Sequence, residues 1–478
     1  MMPNQPVLSP KLGQNLPPDI ITRSALVILG SPKLQSTLNS LPRKYRCSDP
    51  VDRAFAIKEK EIAAIVDSKR NKGLSNLEVA NLCIPEILKE LDRSDSLRSE
   101  YAKDRNLVVA AISSKLQDWQ GICMLSDRES SFNVKKVEDI LKPLKSNLGK
   151  IVLCGNQEQE EQNEELVGQL ITMFMSLSDP LEIMRHSSLF VGSGTEVGVF
   201  ELDDAIFGVF SDYYRTKQFV SGVIAAVKDL EKRFPQDQVI RIADLGSGPF
   251  GILGLVALAT SKKVQVDFVE LEPSSKLLLD TIIQKLKLGE RAKTHLVNFF
   301  DWQPEEKLHA VLSETMNAGF VSEPLPKVSQ YIRKHMLPEG IMIPQEVTLS
   351  LAPIPSGAAL TKKQIPSYIP VQEYGLKFYD LEFSSLPMVF DTLTSNEQRA
   401  SFILPLDKIP NGKVKLVLLT AVKVFKGFEL KEDLSILTCQ QGACFCEITP
   451  EIKKQHKFLV FSYELGQART TSRLEFVK

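Results

Sequence analysis

The chain has 478 residues, of which 43% are hydrophobic and 24% are charged, and its net charge is -1. This length and composition suit a globular protein of about three domains, and the near-neutral charge gives no basic field that would attract nucleic acid. The first twenty residues lack the basic and apolar regions of a secretory signal, and no apolar run is long enough to span a bilayer. We therefore expect a soluble, cytoplasmic protein that binds neither nucleic acid nor membrane.

Residues 1–195 are predicted to form a mostly helical N-terminal domain, although the pattern indicates no role for it. Apolar residues recur at intervals of three and four in five segments. These segments begin at Ala56, Ser75, Asn106, Val137 and Glu160.

Residues 196–350 alternate short apolar runs with helical patterns, beginning with "VIRIADLG" and "GILGLVALATS". This alternation predicts a parallel, doubly wound α/β sheet of Rossmann-like type, whose ligands bind at the carboxyl ends of the strands. Residues 351–478 contain short β-branched and aromatic runs separated by turns, which predicts an antiparallel sheet or barrel. Within this part, residues 355–400 are irregular and are interpreted as an excursion from the β domain.

Seven cysteines are spread thinly along the chain, which is typical of a reducing compartment rather than of a disulfide framework. The cluster Cys439, Cys444 and Cys446 lacks the second cysteine pair or nearby histidine that a zinc site requires. A strand that carries small apolar thiols is the favoured interpretation. We predict no metal site.

The stretch "RIADLGSGPFGILG" places Gly246, Gly248 and Gly251 at a strand-to-helix turn with the spacing G-x-G-x-x-G. This spacing alone is compatible with NAD as well as with other nucleoside cofactors. Asp244 ends the strand before the loop, where a carboxylate would oppose a pyrophosphate. The same carboxylate can order the loop and receive the ammonium group of S-adenosylmethionine.

Two further acidic positions follow the next strands. Glu270 ends the second strand and can accept both ribose hydroxyls, with Glu272 as the competing candidate. Asp301 follows the third strand, where it either accepts the adenine amino group or caps a turn. Together these acids favour S-adenosylmethionine over NAD as the cofactor.

The segment "SETMNAGFVSE" places Glu314 at the end of the fourth strand and Glu323 nine residues later. Two carboxylates brought together by a loop can hold a guanidinium bidentately, whereas the alternative is a surface loop with two unrelated glutamates. This segment resembles the double-glutamate loop, SE-x8-E, of the protein arginine methyltransferase family. The resemblance implies that Glu314 and Glu323 are catalytic.

Two more segments carry the resemblance, which covers residues 200 to 350 most closely. "SDYYRTKQF" is similar to the family's D-x-x-R-T-x-x-Y helix and makes Arg215 the candidate ligand of the cofactor carboxylate, while "YIRKHMLPEGIMIPQEVTL" is similar to its following helix and strand. The resemblance implies a class I methyltransferase domain followed by a β-barrel for substrate and dimerisation, with residues 355–400 as a dimerisation arm. It allows for a homodimer.

The chain departs from the family pattern at two places. Phe250 is an additional residue in the glycine loop, and the family's Thr-His-Trp loop is not found. The resemblance implies an N-methyltransferase that acts on a guanidinium in a protein, a peptide or a small metabolite. The departures leave open a class I methyltransferase with another N- or O-acceptor.

Overall fold

The computed structural model describes residues 132–152, 157–178, 212–316, 325–355, 388–393, 399–408, 414–430, 435, 444–464 and 471–478. All of them belong to one compact unit, which comprises residues 130–179 and 192–478. The helical patterns that begin at Ala56, Ser75 and Asn106 lie outside the described residues. Among the described residues, no helix is both long and apolar enough to cross a bilayer.

The described chain contains seven α-helices and thirteen strands, numbered here in chain order. The helices are α1 (Leu141–Lys150), α2 (Gln157–Leu177), α3 (Tyr213–Arg233), α4 (Ile252–Thr260), α5 (Pro273–Lys285), α6 (Leu325–Ile332) and α7 (Pro450–Gln455). The strands of the parallel sheet are β1 (Ile240–Leu245), β2 (Val264–Glu270), β3 (Ala292–Leu296), β4 (Leu308–Leu312) and β5 (Met336–Ile343). The other strands are β6 (Glu346–Pro355), β7 (Met388–Asp391), β8 (Arg399–Pro405), β9 (Val414–Phe425), β10 (Phe428–Leu430), β11 (Cys444–Ile448), β12 (Phe458–Glu464) and β13 (Thr471–Val477).

The first five strands form a parallel sheet in the order β3-β2-β1-β4-β5, which confirms the predicted Rossmann-like α/β core. All five residues of β4 are buried, as a central parallel strand covered on both faces requires. The strand order reverses between β1 and β4, and the crevice at such a reversal is where doubly wound sheets bind ligands. The glycine loop follows β1 and Glu314 follows β4, so both lie beside this crevice.

Two of the predicted N-terminal helices form a layer over the helices of the parallel sheet. A 3₁₀ turn at Val137–Ile140 and helix α1 pack against α4 and α3, while α2 packs against α1 and α5. The layer has a continuous apolar core in which Ile140, Leu144 and Phe174 are all 0% exposed. We call the 3₁₀ turn, α1 and α2 the helical cover.

The C-terminal strands form two antiparallel sheets. One has the order β10-β9-β6-β7, with β11 also paired to β9, and the other has the order β13-β12-β8. Strands β6 and β9 pair along ten residues, from Glu346 opposite Lys423 to Pro355 opposite Val414. The antiparallel pairing agrees with the predicted pattern, whereas closure into a barrel stays a prediction.

Helix α3 joins the parallel sheet to the C-terminal sheets. A Cβ atom on Gly222 would approach Cγ1 of Val424 to 2.7 Å, so the helix backbone lies directly on β9. Lys426 and Arg233 both pair with Asp229 of this helix.

Most of the predicted arm, residues 356–387 and 394–398, lies outside the described residues, so the arm and the homodimer stay predictions.

Candidate active site

The glycine loop connects β1 to α4 through a backbone with positive φ angles. Gly246 and Gly248 have φ angles of +70° and +67°, which side chains rarely tolerate. The N–H groups of Gly246 and Ser247 donate to the carbonyl of Val269 on β2, at 2.9 and 3.3 Å. A Cβ on Gly248 would meet no atom within 4 Å, so the loop leaves open space at this position.

Asp244 lies beneath the loop and is only 2% exposed. Its Oδ2 accepts a hydrogen bond from the N–H of Gly254 in the first turn of α4, at 2.8 Å. Burial raises the pKa of this carboxyl to about 7, and the nearby Glu270 adds to the effect. The contact ties the end of β1 to α4 across the loop. Its predicted role toward an ammonium group stays a prediction.

Glu270 holds the other side of the loop. Its Oε2 accepts from the N–H of Gly248 at 2.7 Å, and its Oε1 accepts from those of Leu271 and Glu272 at 2.8 and 2.9 Å. Burial raises the pKa of Glu270, and these backbone donors oppose the rise. The carboxylate that contacts the loop is therefore that of Glu270, the favoured candidate for the ribose, and this role stays a prediction.

Ser247 is a site residue that the sequence reasoning missed. Its Oγ is buried and has no hydrogen-bond partner among the described residues. A buried hydroxyl without a partner is costly, so a ligand atom is the natural complement. Its position between Gly246 and Gly248 could have indicated a candidate site residue.

Asp301 is exposed in a turn after β3. Its N–H donates to the carbonyl of Asn298 at 2.8 Å, and the side chain of Asn298 accepts from the N–H of Phe300 at 3.1 Å. Asn298 thus caps the turn, and the adenine role of Asp301 stays a prediction.

Glu314 follows β4 and forms an ion pair with Arg215 of α3. Nη1 of Arg215 lies 3.2 Å from Oε2 of Glu314, and the two side chains are 14% and 24% exposed. The second oxygen, Oε1, is buried and has no hydrogen-bond partner among the described residues. Burial raises the pKa of Glu314 to about 7, Arg215 opposes this rise, and Asp212 adds to it. Glu323, the second predicted glutamate, lies outside the described residues.

Arg215 is itself held by Asp212 at the start of α3. Asp212 caps the helix by accepting from the N–H of Arg215 at 3.1 Å, and its Oδ2 lies 3.8 Å from Nε of the same arginine. Ser435, from the C-terminal region, donates its hydroxyl to Oδ2 of Asp212 at 2.6 Å. A polar chain therefore runs from Ser435 through Asp212 and Arg215 to Glu314.

Phe250, the additional residue of the loop, is 1% exposed and packs against Phe174 of α2. Its ring is therefore enclosed by protein rather than projecting into solvent.

The predicted thiol strand agrees with the positions of Cys444 and Cys446 in β11, while Cys439 lies outside the described residues. Within the described part of the chain, no group of three potential metal ligands occurs.

The carboxyl edge of the parallel sheet thus brings together most of the predicted site residues. Asp244, the glycine loop and Glu270 lie on one side of the crevice, and Glu314 with Arg215 lies on the other. The arrangement combines open space at Gly248 with a carboxylate whose Oε1 is buried and has no hydrogen-bond partner among the described residues. It is suited to hold a nucleoside beside a cationic group.

No family model matches this chain, and comparison with curated proteins finds no match. Among solved structures, the chain is similar to a Trypanosoma brucei PRMT1 enzyme-prozyme heterotetrameric complex with AdoHcy, at 13% identity over 56% of this chain and 96% of that chain, with a TM-score of 0.37. It is similar to PRMT6 with SAH at 14% identity over 56% and 98% of the two chains, with a TM-score of 0.39. For a second PRMT6 structure, the identity is 15% over 56% and 98%, with a TM-score of 0.40.

Proposed function

We propose that this protein is an S-adenosylmethionine-dependent N-methyltransferase that acts on a guanidinium group in a protein, a peptide or a small molecule. The observation that carries the proposal is the buried Oε1 of Glu314, which has no hydrogen-bond partner in the described part of the chain, while Oε2 pairs with the guanidinium of Arg215. A buried carboxylate oxygen needs a donor, and a guanidinium supplies several in one plane.

The residues around the glycine loop fit the cofactor. Gly246 and Gly248 let the backbone approach a ligand closely, and Ser247 offers a buried hydroxyl to which no described residue hydrogen-bonds. Asp244 and Glu270 place negative charge at the loop, which favours an ammonium and ribose hydroxyls over a pyrophosphate. When bound, S-adenosylmethionine supplies a sulfonium methyl group. Arg215, which lies beside the crevice and pairs with Glu314, is the proposed ligand of its carboxylate.

The acceptor would be oriented by Glu314, with Glu323 as the proposed second carboxylate. An ionised Glu314 accepts N–H groups at Oε1, holds the positive charge near the carboxylate, and leaves another guanidinium nitrogen free to react. An arginine side chain has a pKa above about 12, so its proton leaves during or after methyl transfer rather than before it. The transfer would break the methyl–sulfonium bond, leave S-adenosylhomocysteine, replace one N–H of the guanidinium by N–CH3 and release one proton, for which Glu314 is the proposed acceptor.

A second acceptor class is favoured by the pKa of Glu314. With a pKa of about 7, this carboxyl can exchange a proton at neutral pH, which suits a general base for an amine or hydroxyl acceptor. When no cation is bound, a proton on Glu314 and the N–H or O–H group of the acceptor would compete for Oε1. A class I methyltransferase with another N- or O-acceptor is therefore the alternative proposal.

The proposal is tested by incubating the full chain with methyl-labelled S-adenosylmethionine and three acceptors, namely arginine, arginine-containing peptides and a cell lysate. Mass spectrometry of the products should show label on a guanidino nitrogen. The Glu314→Gln variant serves as the inactive control. Label on a hydroxyl or on an amine that is not guanidino would establish the alternative. Absence of both labelling and cofactor binding would refute methyl transfer altogether.

A further inference from the structure

The additional residue of the glycine loop connects the loop to the helical cover. The rings of Phe250 and Phe174 are 5.3 Å apart between centroids, with an interplanar angle of 36°. Both side chains are among the largest fully buried ones in the described chain, at 1% and 0% exposure. Aromatic pairs of this geometry stabilise a contact beyond the area that they bury.

The loop around Phe250 has a backbone that needs an anchor. Gly246, Gly248 and Gly251 all have positive φ angles, and glycine loses more conformational freedom on ordering than any other residue. Phe250 lies immediately before Gly251, which is the N-cap of α4. Fixing the ring of Phe250 therefore limits the backbone of the loop at the point where α4 begins.

Helix α2 is itself held firmly against the sheet domain. Its buried core includes Leu170, Ile171 and Phe174, at 0% or 1% exposure. At its C-terminal end, the carbonyl of Ser176 accepts a hydrogen bond from Nζ of Lys285 on α5, at 3.2 Å. The position of Phe174 is thus set by packing on one side and by the C-terminal end of α5 on the other.

We propose that Phe174 is a positioning residue for the cofactor, because α2 holds the glycine loop in its binding conformation through the ring of Phe250. The inference rests on the proposed function, since it assigns the loop to S-adenosylmethionine. It gives the helical cover a specific role, which is to set the affinity of the adjacent cofactor site. If loss of the contact leaves the loop in its binding conformation about a tenth of the time, the Kd for the cofactor product rises about tenfold.

The test is a double-mutant cycle on the full chain with Phe174→Leu, Phe250→Leu and the double variant. The Kd for S-adenosylhomocysteine is measured by calorimetry, and amide hydrogen exchange of residues 246–252 is measured without any ligand. Each single variant should bind about tenfold more weakly and exchange faster in the loop. The double variant should lose little more than either single one, because the contact is already absent.

Two further variants separate positioning from general destabilisation. Val167→Ala removes a buried side chain of the same helix about 10 Å before Phe174, and it should leave both the Kd and loop exchange unchanged. Phe174→Met has about the volume of leucine, but its sulfur can contact the ring of Phe250, so it should bind more tightly than Phe174→Leu. The leucine and methionine variants retain most of the buried volume, so the cycle does not depend on an alanine variant that folds poorly.

The outcomes distinguish the two proposals. Wild-type affinity in Phe174→Leu, or additive losses in the double variant, would overturn the positioning role while leaving the proposed function intact. Failure of the wild type to bind S-adenosylhomocysteine would refute the proposed function. In that case, unchanged loop exchange in Phe174→Leu would also overturn the mechanical link between α2 and the loop.

Discussion

Replacing Glu314 by glutamine removes the negative charge of the proposed acceptor site while keeping the size of the side chain. The wild-type carboxylate pairs with Arg215 at 3.2 Å, and its Oε1 is buried without a hydrogen-bond partner among the described residues. Removing one partner of a buried charge pair between protein and ligand costs about 2–5 kcal/mol, so kcat/KM for a guanidinium acceptor should fall by about 10 to 10³ or more. Binding of S-adenosylhomocysteine should stay within about threefold of wild type, since Arg215 keeps its contacts with Asp212.

The assay combines methyl-transfer kinetics with calorimetry on the same preparations. The matched control is Glu305→Gln, which neutralises a carboxylate that is 84% exposed and pairs with Lys293 at the surface. Surface pairs of this kind contribute little, so this control should match wild type in both measurements. Near-normal turnover in Glu314→Gln would refute the assigned role of Glu314. A parallel loss of cofactor-product affinity would instead make it a cofactor ligand.

The same substitution predicts a pH effect with a definite sign. Burial raises the pKa of Glu314 from its ordinary 4.5 to about 7, so the folded state binds this proton more tightly than the unfolded state does. The stability that this proton binding contributes is fully present below pH 4.5 and is lost as the pH rises through 7. Glutamine cannot ionise, so the stability of Glu314→Gln relative to wild type should increase by on the order of 3 kcal/mol between pH 4 and pH 8. Native-state hydrogen exchange of β4 amides measures the difference, and a constant difference across this range would contradict the argument.

Three other substitutions test the cofactor loop. Asp244→Ala leaves the N–H of Gly254 without its acceptor, at a cost of about 1–3 kcal/mol, and should weaken S-adenosylhomocysteine binding in calorimetry before it affects acceptor binding. Ser247→Ala should raise the same Kd by about two- to tenfold without lowering the melting temperature, and an unchanged Kd would remove the hydroxyl from the site. Gly254→Ala would place a Cβ 2.2 Å from the ring of Phe268 and should destabilise the fold by about 1–3 kcal/mol in thermal unfolding. Gly149→Ala, where the Cβ meets nothing within 4 Å, is its control and should be neutral or stabilising.

The alternation of apolar runs and helical patterns predicted the parallel sheet, because the spacing of apolar residues within each element shows which of its faces are buried. It also predicted where the strands end, and therefore which acids reach the carboxyl edge. Glu270, preferred to Glu272 because it ends the strand, is the carboxylate that accepts from the N–H of Gly248, while its ribose role stays a prediction. These features depend on residues that are close in sequence.

The contacts that give the site its electrostatics could not be predicted in the same way. Arg215 and Glu314 are separated by 99 residues, and their pairing depends on how α3 lies across the end of β4. The packing of Phe250 against Phe174 likewise joins a loop to a helix of another segment. Periodicity identifies a helix and its apolar face, but it does not identify which remote side chain that face meets. Ser247 was missed because a hydroxyl in a glycine loop has no distinctive pattern.

The contact between Ser435 and Asp212 spans 223 residues and places one hydroxyl of the C-terminal region two side chains away from Glu314. Because the charge of Asp212 acts on Arg215 and Glu314 together, a change at Ser435 should alter the proposed acceptor site from outside the parallel sheet. Arg215 is also the proposed ligand of the cofactor carboxylate, so the same change should reach cofactor binding. For directed evolution, a library centred on Ser435 would therefore sample acceptor preference, with each variant screened for cofactor binding as well.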